Sequence, residues 1–282
     1  MLRDIRGVPA EDYGEELRRR WGALLSYRYI GRQFAAMNTV DDAAVALRHD
    51  MRNAAGGIMV APLAIICPGA GGGKSDVEAV ANPVIHSIQI LDDARNVSRV
   101  EVVEMTGLKS GRRMDFGRAL IVDADAHDRV IALVETQGVS IGEVPPGLER
   151  FDDDAVLPIQ DSPELPPLWQ VFGATRRPDG HWTLPALSIE LASPDAALHI
   201  GPQQIVLETA AVDLASALSG NDKLQVESSH VMHLARGKVG PFRVDGRALR
   251  GSRDRVGVQL TLTDEGNGDR AVTSASLVFR QV

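Results

Sequence analysis

The clearest periodic signal in the chain lies between Leu198 and Ala215, LHIGPQQIVLETAAVDLA, where apolar residues recur at helical spacing behind a Gly-Pro pair. Pro202 suits the first helical turn, whose N–H groups lack intrahelical partners, and Gly220-Asn-Asp breaks the pattern after about Leu218. Upstream, Leu17, Trp21, Leu24, Leu25 and Ile30 recur with charges between them, which predicts one amphipathic leading helix over 12–34. The alternation of Val45, Leu47, His49 and Met51 predicts a strand with one buried face over 43–51. The run IMVAPLAIICPGA is apolar throughout, so periodicity alone leaves helix and strand open there. Past a Gly-rich loop at 69–83, strands are expected at 84–91, 99–106, 113–124 and 129–139, separated by Asp- and Gly-bearing turns. Residues 142–167 are rich in Pro and Asp without apolar period and read as a linker. After the long helix, strands fit 224–234, 242–250, 255–263 and 270–280.

The order of strand, helix and then several strands occurs twice, and the residues repeat with it. Ala94-Arg95 precedes Ala235-Arg236 by 141, Asp123 precedes Asp264 by 141, and Asp128-Arg129 precedes Asp269-Arg270 by 141. Gly57 precedes Gly201 by 144. A duplication makes the ambiguous apolar run a second helix, with Pro62 as an irregularity in it. The expected division is an N-terminal helical extension over 1–39, a first unit over 40–141, the linker over 142–167, and a second unit over 168–282.

Composition narrows the partners. The chain has 282 residues, 44% of them hydrophobic and 24% charged, with a formal net charge of −8. No stretch concentrates Lys and Arg with aromatics, which argues against nucleic acid and anionic membrane surfaces. The single Cys67 excludes an internal disulfide and fits a reducing compartment. The first twenty residues lack the apolar core of a secretory signal and no run of 18 apolar residues occurs, so a cytoplasmic, membrane-free protein is the expectation.

A repeat of one central helix with four or five antiparallel strands resembles the hotdog fold. Two such units imply an α+β tandem, or double, hotdog with two central helices, each wrapped by an antiparallel sheet. The second unit resembles the PaaI-like acyl-CoA thioesterases. Their signature, His-Gly-Gly followed seven residues later by Asp or Glu and then Thr or Ser, is matched by His199-Ile200-Gly201 and Glu208-Thr209, with Ile200 in place of the first Gly. The first unit keeps Gly56-Gly57 but carries Ala64 where the acid would stand. The resemblance implies a thioester hydrolase needing no cofactor beyond the coenzyme A of its substrate, and it leaves homo-oligomers open.

In that resemblance Glu208 is the general base or nucleophile, and the helix start at Gly201 holds the oxyanion, since free N–H groups and the helix dipole favour negative charge. His199 joins them, while Thr209, Gly57 and Asn53 are candidate substrate contacts, Asn53 across the interface between halves. Other readings stand beside these. Glu208 could share an exposed polar face with Gln204 and Asp213, His199 could be structural, Thr209 could serve packing, and Asn53 could be a helix N-cap. His230 and His233 on one strand face opposite sides, so no metal is expected there. PGAGGGKS echoes a phosphate-binding loop, but Pro68 stands where its first Gly belongs. The rival functions are a non-catalytic acyl-CoA or ligand-binding protein and an enoyl-CoA hydratase-like enzyme, the latter lacking its usual Asp–His pair.

Overall fold

The computed structural model describes residues 2–32, 44–69, 79–111, 114–143, 157–251 and 254–282. The long helix, α5 (Ile200–Ser219), forms where the periodicity places it and ends on Gly220 in the left-handed conformation. It is buried on nearly every side over its first three turns, as expected of a helix apolar all round rather than on one stripe. The ambiguous run is also a helix, α3 (Val60–Ile66), with all seven residues buried, and a single turn, α4 (Leu168–Val171), comes between it and α5 in the chain. Pro62 is no irregularity, because it occupies the first turn, where its missing N–H has no helical acceptor. Pro68 sets the end: the residue before it, Cys67, leaves the helical region with φ −123 and ψ 72, so α3 stops far short of the length of α5.

Eleven strands form one antiparallel sheet around these helices. In chain order they are β1 (Val45–Ala46), β2 (Ala79–Ile90), β3 (Arg99–Ser110), β4 (Met114–Asp123), β5 (Ala126–Glu143), β6 (Thr175–Arg176), β7 (Trp182–Leu184), β8 (Leu224–His233), β9 (Phe242–Arg250), β10 (Arg255–Asp264) and β11 (Arg270–Gln281). The spatial order is β1-β3-β4-β5-β2-β8-β11-β10-β9-β7-β6. A separate sheet around each helix was expected; instead β2 pairs with β8 from Ile85–Met232 to Gln89–Ser228 and makes the two sheets one. Val256, Val258, Leu260 and Leu262 of β10 turn inward at alternate positions and join the main core with α5.

Two backbone hydrogen bonds recur at a constant spacing, which differs from the spacing of the glycines. Met59 N–H bonds Met51 O and His199 N–H bonds Leu191 O; Asn53 N–H bonds Gly57 O and Ser193 N–H bonds Ala197 O. Both pairs are 140 apart. Gly57 therefore matches Ala197 rather than Gly201, Gly201 matches Ala61, Gln204 matches Ala64, and Glu208 matches Pro68. The sequence pairing was misled by counting from glycines, which here serve different turns.

Three further expectations change. The leading helix is two, α1 (Ala10–Ala23) and α2 (Leu25–Ile30), divided at Leu24, whose backbone is extended. The strand over 43–51 shrinks to β1, because the His49 N–H is taken by the Asp161 carboxylate at 2.7 Å and a 3-10 turn follows. Asn82-Pro83 lies within β2, where the pairing with β5 shifts register between Pro83 and Ile85, so the absent N–H is tolerated. Residues 70–78 of the Gly-rich loop, including its Gly-Lys-Ser, and residues 144–156 of the linker lie outside the described residues. Among the described residues no helix is long and apolar enough to cross a membrane.

Candidate active site

Glu208 is buried, only 2% exposed, not part of an exposed polar face. Its two carboxylate oxygens accept the N–H groups of Val60, at 2.8 Å, and Ala61, at 2.7 Å. These are the first residues of α3, so the acid of α5 sits on the start of a second helix, where unpaired N–H groups and the dipole favour an anion. Burial is the larger influence on its ionisation and the two N–H bonds oppose it; the outcome is a carboxyl pushed up from 4.5 to about 7. A carboxylate offers about four lone-pair sites, and two are engaged, so acceptor capacity remains for a water.

His199 and Gly201 were expected in one site with Glu208, at the spacing that one helix gives them. Those two residues stand at the start of α5, about two turns from Glu208 and roughly 10 Å along the axis. His199 is the N-cap of α5: its Nδ1 accepts the Gly201 N–H at 3.3 Å and lies 2.9 Å from Ser26 Oγ. Burial, with the Arg236 charge adding to it, depresses the imidazole to about 3, so it stays neutral. Gly201 is small for a reason other than substrate approach, since a Cβ there would overlap the Ser26 side chain of α2. Tyr27 packs edge-on against His199 with ring centroids 5.1 Å apart. The start of α5 is thus filled by α2, which the break at Leu24 allows to turn inward.

The remaining candidates divide between the two places. Asn53 is not a helix N-cap, because Met59 holds that position on α3. Its Oδ1 accepts the Ala55 and Gly57 N–H groups at 2.9 and 3.1 Å, closing the loop ahead of α3, and its Nδ2 donates to Gln225 Oε1 at 2.8 Å, which does cross between the halves. Gly57 is buried, and a Cβ there would overlap the Gln225 amide. Thr209 turns its hydroxyl to Ile205 O of its own helix at 2.7 Å, a helix-interior bond rather than a free group.

One residue at the Glu208 site went unnoticed in the sequence, and another was weighed there only as part of an exposed polar face. Gln225, on β8, donates to Ile58 O at 3.2 Å, two residues before Val60; no local pattern marks an inward Gln on a strand. Gln204, one turn before Glu208, is buried with it. His233 turns inward, its Nδ1 3.3 Å from Gln203 Oε1, whereas His230 bonds Ser87 on the exposed side. Among the described residues no group of three or more His, Cys, Asp or Glu is placed to hold a metal ion.

With this geometry in view, solved structures locate the fold. A tesB protein of Mycobacterium avium subspecies paratuberculosis is similar over 84% of this chain and 92% of its own, with 13% identity and a TM-score of 0.56. An oleoyl thioesterase of Lactobacillus plantarum, so named provisionally, is similar over 85% and 95%, with 12% identity and a TM-score of 0.54. A hot dog fold protein of unknown function from Alicyclobacillus acidocaldarius is similar over 85% and 92%, with 12% identity and a TM-score of 0.53. No protein-family model matches the chain, and no curated protein matches its sequence. The architecture is the hotdog fold.

Proposed function

We propose that the chain is a double hotdog thioester hydrolase, PaaI-like in its second unit, acting on acyl-CoA or a related thioester at one centre between the units. The observation that carries this reading is the Glu208 carboxyl, raised to about 7 and lying on the α3 start supplied by the other copy. A base of that strength is half-ionised near neutrality, where general-base catalysis is most effective. Glu208 accepts a proton from water as the water oxygen bonds the thioester carbonyl carbon; the C–S bond then breaks and the thiolate leaves with that proton. The name of the Lactobacillus plantarum neighbour supports the substrate class. Asn53, Gly57 and Gln225 shape the rim of the centre through the loop before α3.

A second reading rests on a specific observation: both Glu208 oxygens are already engaged, so the residue also works as a cap on α3 in a non-catalytic thioester-binding protein. A panel of acyl-CoA substrates with thiol-release detection separates the two. Hydrolysis by the wild type that falls roughly 10²–10⁴-fold in kcat in Glu208→Gln is the expected result. Turnover untouched by the substitution refutes the assignment of Glu208, and saturable CoA binding without turnover selects the second reading.

A further inference from the structure

An unpartnered amide lies next to this centre. Gln204 is 3% exposed, and its Nε2 has no hydrogen-bond partner among the described residues. It precedes Glu208 by four residues in α5, so the two side chains leave the same face of the helix one turn apart. That face is turned to α3, because Glu208 reaches the start of α3 from it. A buried N–H without an acceptor destabilises a fold, so a group that meets it in another state of the protein is called for. Hydrolysis supplies such a group. The attacked carbonyl oxygen becomes an oxyanion and needs a donor, yet the Val60 and Ala61 N–H groups are held by Glu208 and Pro62 has none.

We propose that Gln204 is a catalytic residue whose Nε2–H donates to the thioester carbonyl oxygen and to the oxyanion formed from it; this rests on the thioester-hydrolase reading. As water oxygen bonds the carbonyl carbon and Glu208 takes the proton, the carbonyl electron pair moves onto the oxygen held by Gln204. Its return expels the thiolate, which takes the proton from Glu208. The test compares wild type, Glu208→Gln and Gln204→Met on one acyl-CoA, with thermal unfolding of each. Methionine keeps the length of the side chain and removes the donor. The expected result is a fall in kcat of roughly 10²–10³-fold for Gln204→Met, with KM within about twofold and Tm equal to or above wild type, because an unpaired buried amide is gone. Unchanged kcat in Gln204→Met beside an inactive Glu208→Gln overturns this inference alone. So does a loss of kcat accompanied by a lower Tm, which marks a packing role, or a rise in KM alone, which marks ground-state binding. Absence of turnover by the wild type overturns this inference together with the reading it rests on.

Discussion

Replacing Glu208 by Gln tests the site without any substrate. Folding moves the carboxyl from 4.5 to about 7, so the folded protein prefers the protonated form. The sign follows from linkage: the contribution is fully present below about pH 4.5 and is lost as pH rises through about 7, since the unfolded chain releases the proton first. The displacement corresponds to about 3 kcal/mol for a fully buried group. Gln has the shape of the protonated acid and does not titrate, but its NH2 turns a donor toward one of the Val60 and Ala61 N–H groups, where an oxygen of the acid accepts, so it carries a penalty independent of pH. Between about pH 4.5 and pH 8.5, urea unfolding of both proteins should therefore show the stability difference between them moving in the variant's favour by up to about 3 kcal/mol from the acid to the alkaline end. Taking the difference between the proteins removes the other titrating groups. A difference that stays flat across that range, with matched m-values, would refute the account of burial outweighing the two N–H bonds. The substitution predicted to slow turnover would then also remove the fold's loss of stability as pH rises through neutrality, as expected where a function is held at the expense of stability.

Two further outcomes concern the start of α5. Gly201→Ala should destabilise by about 1–3 kcal/mol through overlap with Ser26, and Ser26→Gly in the same chain should recover much of it; unfolding free energies additive within about 0.5 kcal/mol would contradict the contact. His199, depressed from 6.5 to about 3, holds stability above pH 6.5 that drains away as pH falls toward the lower value. Asn keeps the N-cap and removes the titration, so His199→Asn should move acid unfolding, followed by circular dichroism, to lower pH; an unmoved midpoint counts against a buried neutral imidazole.

Much of the fold could be read from period and punctuation. The helix ending at Gly220 and the strands at 224–234, 242–250 and 255–263 lie within a residue or two of α5, β8, β9 and β10, because apolar alternation and Gly- or Asp-bearing turns act locally. The failures have non-local causes. The stretch around His49 alternates like a strand, but a carboxylate more than a hundred residues away takes its N–H. At the site, Glu208 could be singled out as an acid among apolar neighbours. Its partners could not, for a backbone N–H carries no side-chain signature and these two lie about 148 residues earlier in the chain. The His199–Gly201 pattern marks the start of α5, whereas the donors that reach Glu208 are those of Val60 and Ala61.

The seam from Ile85–Met232 to Gln89–Ser228 has a consequence for how the molecule is made. Either half synthesised alone would end in a raw edge, β2 or β8, with a row of unpaired N–H and C=O groups able to recruit strands from other chains. The partner that silences each edge lies well over a hundred residues along the chain, so joining them closes a long loop and comes late in folding. Until the last strands emerge, the first half carries an adhesive margin, and tethering both halves in one chain keeps the proper partner at high local concentration.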